Sequence, residues 1–109
     1  MKPAFSDQLS INQSPLLCPR CKSTNLHHER IEIYDREPDA KEGNRVVIEK
    51  REVTVDDNLS GNPSMRRHGM RISLRCELCP DLPIYLTIVQ HKGETLIDVV
   101  ATGSTRYVD

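Results

Sequence analysis

The sequence predicts a mainly β domain of antiparallel strands, one pair of them drawn out as a long hairpin arm. Three observations lead there. Apolar and polar residues alternate with period two through "RIEIY", "REVTV" and "MRISLRC". Gly, Pro, Asn and Ser gather between those runs, as in "EPDAKEGN" and "DNLSGNPS". Two cysteine pairs of identical spacing, Cys18 with Cys21 and Cys76 with Cys79, stand at either end of the pattern. No segment carries a convincing helical period.

Residues 1–15 are polar and turn-rich, with Pro3 and Pro15 among Ser, Asn and Gln, and predict a flexible lead outside the core. Residues 16–109 are expected to form a single domain. After the first cysteine pair, Ile31 and Ile33 alternate with Arg30 and Glu32, the signature of a half-buried strand. Pro38 and Gly43 punctuate the chain before "RVVIEKREVTVD" resumes a β-branched pattern, so residues 26–56 read as a two-stranded hairpin insert. "DNLSGNPSMRRHGM" is loop-like in composition. In "MRISLRC", Met70, Ile72, Leu74 and Cys76 fall on one face and Arg71, Ser73 and Arg75 on the other, which is expected to project to solvent. "IYLTIVQ" and "TLIDVVA" are strands joined at "HKGE", where Gly93 suits a tight turn.

At 109 residues, with a hydrophobic fraction of 37%, one Phe and no Trp, the chain predicts a thin core that benefits from a staple. The cysteines supply one. A thiolate is a soft anionic ligand, and Zn²⁺ takes four of them tetrahedrally in closed structural sites. Two residues between cysteines let one turn aim both sulfurs at one ion. Two such knuckles joined across a sheet make a zinc ribbon, so one Zn²⁺ per chain is expected on Cys18, Cys21, Cys76 and Cys79. Iron also suits four thiolates, although the chemistry prefers zinc. A redox reading of "CPRC" lacks the helix that should follow the pair. A catalytic zinc of the deaminase kind would use "HHE" and "CELC", but Arg75 stands where that motif has Pro and two cysteines would go unused. His27 and His28 are possible extra ligands, more simply read as strand residues. His68 and His91, at predicted turns without acidic or hydroxyl partners in a recognisable pattern, make poor catalytic groups. A non-enzymatic binding module is the expectation.

The formal net charge of −1 argues against a generally basic nucleic-acid binder. Its distribution is uneven. Acidic residues dominate 29–42, whereas Arg66, Arg67, Arg71 and Arg75 crowd into 66–75 without an acid. Those four arginines are the candidate contact for DNA or RNA phosphates, unless they balance Glu32, Asp35 and Glu37. The alternative is a protein-interaction adaptor that docks through an exposed strand of the arm or through the acidic stretch. "MKPAFSDQLSINQSP" has no apolar core of a signal peptide, and no apolar run reaches membrane-spanning length, so a soluble cytoplasmic protein without a membrane partner is expected.

With "CPRC", the "HH" strand, "GNPSMRRHG", "CELC" and "QHKG" in view, residues 16 to 100 resemble small bacterial and phage-associated zinc-ribbon proteins that pair a CPxC with a later CExC. The resemblance implies zinc ligation by Cys18, Cys21, Cys76 and Cys79. It carries no assigned activity. Zinc ribbons as a class are common in transcription and translation factors, which implies contact with nucleic acid or its machinery by analogy of fold alone.

Overall fold

The computed structural model describes residues 3–5 and 14–101. The rest of the expected lead and the end of the 16–109 domain lie outside the described residues. The fold is mainly β, as the alternation predicts, with no helix among the described residues and therefore none long and apolar enough to cross a membrane. Six strands form it: β1 (Leu26–Asp35), β2 (Asn44–Glu49), β3 (Glu52–Asp56), β4 (Gly69–Cys76), β5 (Cys79–His91) and β6 (Glu94–Ala101). They make one antiparallel sheet in the order β3-β2-β1-β4-β5-β6. Strands touch only their hydrogen-bonded neighbours, so the sheet is open and does not fold back on itself. It consists of two three-stranded meanders, β1–β3 and β4–β6, sewn together along the β1/β4 seam.

The arm holds one strand more than the sequence predicts. The run read as a single strand breaks at Lys50 and Arg51, which take φ of 51° and 70° between the paired Glu49 and Glu52. Positive φ at both central residues defines a two-residue hairpin turn, normally written Asn-Gly or Asp-Gly. Two long basic side chains hide that signal. Left-handed backbone costs a non-glycine residue about 1 kcal/mol or more. A K50N/R51G double variant is therefore expected to raise stability by about 1 kcal/mol in urea titration, with unchanged metal content. The β5/β6 turn, by contrast, has Lys92 at φ 49° and the expected Gly93 at φ 87°.

The two faces of the sheet differ in kind. On one, a transverse row runs Val53, Ile48, Ile31, Ile72, Leu86 and Val99 across all six strands. The next row on that face runs Val55, Val46, Ile33, Met70, Ile88 and Ile97. Both rows are wholly aliphatic. Between them, on the opposite face, lies Thr54, Val47, Glu32, Arg71, Thr87 and Asp98.

Burial is inverted relative to this chemistry. Glu32, Tyr34, Thr87, Val89 and Val100, all on the mixed polar face, are buried. The loop 57–68 lies over part of that face: a Cβ added at Gly61 would stand 2.5 Å from the Tyr34 hydroxyl, and one at Gly69 would stand 2.0 Å from Asn62 Oδ1. Glycine is required at both by close approach. The loop ties itself in shape through Asn62 and Ser64, both buried. Asn62 Nδ2 donates to the Arg67 carbonyl at 3.0 Å, and Asn62 Oδ1 and Ser64 Oγ accept from the backbone N–H of Ser64 and Arg67, each at 3.0 Å.

The aliphatic face is covered at one end. There Ile84 and Val99 pack with Cys18 and Cys76, flanked by Leu16, Leu26, Leu74 and Leu82. The segment that brings in Cys18 is itself held, since the Leu17 N–H donates to the Ala4 carbonyl at 2.7 Å and Phe5 bridges Leu16. Away from that end nothing among the described residues covers the face, and Val53, Val55 and Ile97 are exposed at 63%, 66% and 53%.

Candidate metal centre

The four cysteines converge at the covered end of the seam. Cys18 and Cys21 precede β1, and their turn is closed by the Cys18 N–H donating to the Ser23 carbonyl at 2.8 Å and the Lys22 N–H to the Cys18 carbonyl at 3.0 Å. Lys22 accepts φ 64° to reverse the chain there. The second pair sits on the β4/β5 hairpin, with Cys76 opposite Cys79 and Glu77 and Leu78 at the turn. A bond from the Glu77 N–H to the Asn25 carbonyl, 3.2 Å, fastens the two turns to each other.

All four sulfurs lie within 4.8 Å of one another, and Cys21 Sγ and Cys76 Sγ are 3.6 Å apart. Four ligands at the usual Zn–S length of 2.3 Å around a tetrahedron sit about 3.8 Å apart. The cysteines are free rather than disulfide-linked, and Cys18 and Cys76 are buried while Cys21 is exposed. The donor set therefore fits a metal ion of zinc's size and softness, and as four thiolates it leaves no coordination position for substrate.

The thiols perturb one another. Burial pushes Cys18 up, but the backbone N–H groups of Cys21 and Arg20 and the thiols of Cys76 and Cys21 outweigh it and bring it down to about 7. Burial drives Cys79 up to about 12, reinforced by Cys21 and Cys76, and raises Cys76 in the same sense. Crowded sulfurs resist ionising together unless a cation holds them.

Neither histidine beside the first pair joins the cluster. His27 Nε2 lies 3.0 Å from Glu77 Oε1, an exposed contact between the two turns. His68 sits at the far end of the sheet, where its Nδ1 accepts from the Arg36 N–H at 3.0 Å and faces Asp35 at 3.2 Å.

The candidate arginines do not share one free surface. Arg71, expected to project to solvent, turns instead under the loop and grips Glu32 with two hydrogen bonds of 2.8 and 2.9 Å. Its side chain is 22% exposed and that of Glu32 only 2%. The reason is that the loop 57–68 covers this face, which strand alternation cannot disclose. Arg71 also stacks 4.7 Å over the Tyr85 ring, and Tyr34 donates to Glu32 at 2.7 Å. Burial pushes the Glu32 carboxyl up, but the hydrogen bonds from Arg71 and Tyr34 and the charges of Arg71 and Arg30 hold it below the usual range. The same burial and carboxylate push Tyr34 up to about 12. Arg75 pairs with Glu29 at 3.2 Å, Arg66 pairs with Asp39, and Arg67 lies half-buried in the loop. The balance of Arg71 by Glu32 was one of the two readings that the sequence offered; what sequence reasoning missed is that the pair is buried and that Tyr34 joins it, and the trace of this was a carboxylate and a phenol alternating on β1 opposite an arginine on β4.

Comparison of the chain with protein-family models, with curated proteins and with solved structures finds no match.

Proposed function

We propose that this protein is a zinc-ribbon-like, non-enzymatic module in which a structural Zn²⁺ on Cys18, Cys21, Cys76 and Cys79 shapes a sheet that docks onto a protein partner. The observation that carries the docking is β3: it is one of the two edges of the sheet, has no strand beside its outer side among the described residues, and all five of its residues are exposed. Hydrogen-bonded and non-bonded pairs alternate outward from the Lys50–Arg51 turn, so Val53 and Val55 turn their backbone N–H and C=O groups away from β2. An extended peptide can add there as a seventh strand. The acidic stretch is a weaker candidate, because Glu29, Glu32, Asp35 and Asp39 already face arginine or histidine partners.

Those same pairs favour a protein over nucleic acid, since they neutralise Arg66, Arg71 and Arg75 within the chain. The resemblance to bacterial and phage zinc ribbons is consistent with an accessory role at a larger machine. The test compares the wild type with Val55→Pro, which removes one outward N–H without touching the β2 ladder. Partners captured from cells and quantified by mass spectrometry are expected to fall at least tenfold with V55P. Anisotropy titrations with DNA and RNA are expected to show no salt-dependent binding. Tight binding that weakens steeply with salt, and that is lost in R66A/R67A, would transfer the function to the arginines.

A further inference from the structure

The four sulfurs of the candidate metal centre are not equivalent. Cys18 and Cys76 are buried, Cys79 is half-buried and Cys21 is exposed. A thiol that holds a metal ion is already a thiolate, so among four ligands exposure decides which one a small oxidant reaches. Cys21 also stands between Arg20 and Lys22, both exposed and neither in an ion pair among the described residues. Neighbouring cations favour the anion that an oxidation expels. A partner thiol is in reach, since Cys76 Sγ lies 3.6 Å from Cys21 Sγ, on the other turn. We propose that Cys21 is an oxidation site for hydroperoxides and that Cys76 resolves the product, so that a disulfide replaces the ion as the clasp between the two turns.

The chemistry balances with the peroxide as the one added reagent. The Cys21 thiolate attacks one peroxide oxygen: an S–O bond forms, the O–O bond breaks, and the second oxygen leaves as hydroxide and takes a proton to become water. Cys21 is then a sulfenic acid, which condenses with a thiol. The Cys76 thiolate attacks the Cys21 sulfur, an S–S bond forms, the S–O bond breaks, and the departing hydroxide takes a second proton. Two thiolates, one peroxide and two protons become one disulfide and two waters, and the two electrons lost by the sulfurs reduce the peroxide. Closing the pair from 3.6 Å to a disulfide of about 2.0 Å moves the sulfurs together by about 1.6 Å. Cys18 and Cys79, left alone, no longer close a four-thiolate site and give up the ion. The place of the bond matters. A disulfide inside one turn, Cys18–Cys21 or Cys76–Cys79, ties nothing across the seam, whereas Cys21–Cys76 joins the segment ahead of β1 to the end of β4.

The inference rests on the zinc reading proposed above, so metal content of the full chain is measured first: a chain that binds no zinc defeats that reading and this inference together. The zinc-loaded chain is then treated with hydrogen peroxide, ion release is followed with a metallochromic dye, and the remaining thiols are alkylated before peptide mass spectrometry. The expected result is release of the ion, a cross-linked peptide pair joining Cys21 to Cys76, and a cooperative thermal transition that survives chelator but is lost when a reductant is added with it. Cys21→Ser and Cys79→Ser each remove one ligand, and both are loaded in excess zinc. Only C21S is expected to slow the loss of thiols to peroxide, by about tenfold or more, because it alone removes the exposed sulfur. The wild-type mapping decides whether or not either variant folds. A zinc-loaded chain that keeps its ion and its thiols in excess peroxide overturns the inference and leaves the zinc reading intact. A disulfide that maps to any other pair, or equal rates in C21S and C79S, overturns it as well.

Discussion

Removing the metal is expected to unfold the protein. Structural zinc in small modules supplies folding free energy on the order of 10 kcal/mol, as much as the whole stability of a typical domain of this size. Here the ion's ligands are also its core: Cys18 and Cys76 are fully buried beside Ile84 and Val99. A strong chelator should therefore abolish the cooperative thermal transition followed by circular dichroism, and added Zn²⁺ should restore it. Cys76→Ser should do the same without chelator, because it removes one thiolate and buries a hydroxyl in its place. Cys21→Ser, at an exposed ligand, should weaken the metal without harming the core, so that excess zinc rescues it in part. A chelated chain that melts as the loaded one does would reduce the cluster to four adjacent thiols.

The second large effect is expected at the Glu32–Arg71 pair. Breaking a buried ion pair from one side typically costs about 3–5 kcal/mol, because the survivor's charge is left without a counter-ion. Glu32 is the more deeply buried partner, so Arg71→Met should be the costlier single change, and E32L/R71M should recover most of the loss. The pH dependence reverses between the two proteins. In the wild type the folded Glu32 carboxyl lies below its ordinary 4.5, so its contribution is present above the unfolded value and disappears as pH falls through the folded one. In R71M the buried carboxyl has lost both hydrogen bonds from Arg71 and keeps only the more distant Arg30, 3.9 Å away, so it rises, and the deficit relative to wild type should shrink as pH is lowered from 8 towards 5. Urea titrations of both proteins at each pH measure that difference, from which loss of the metal site cancels. A deficit that stays constant with pH would mean that Glu32 is not held charged by Arg71.

Sequence reasoning reached different depths in different places. The mainly β class, the β5/β6 hairpin and the cysteine cluster were legible because each rests on local chemistry: alternation, a glycine at a left-handed position, and paired thiols two residues apart. The β2/β3 turn was not, because Lys50 and Arg51 adopt by compulsion of the surrounding ladder a conformation that other residues prefer. The orientation of Arg71 was half legible. Alternation assigns it the face opposite Ile72, but only the path of residues 57–68 makes that face an interior. The same loop covers the mixed face, so that among the described residues the aliphatic rows are covered only at the Cys18 end, an outcome opposite to the one that hydrophobicity alone suggests.

The β1/β4 seam also governs how quickly the chain finds its fold. Every other strand pair is a hairpin or short-loop neighbour, which can zip up within its own meander, whereas β1 and β4 are separated by both strands of the arm and the loop beyond it. Closing that long loop is the one non-local entropic step, and the rate of a small domain is set by such steps. The cysteines lie at the seam's end, with Cys18 and Cys21 just ahead of β1 and Cys76 and Cys79 just past the body of β4. An ion captured there joins the meanders before their strands have met. On the proposed zinc-bound reading the ion is a folding nucleus as well as a clamp, and the expected order of events runs from two independent meanders, through the ion, to the finished sheet.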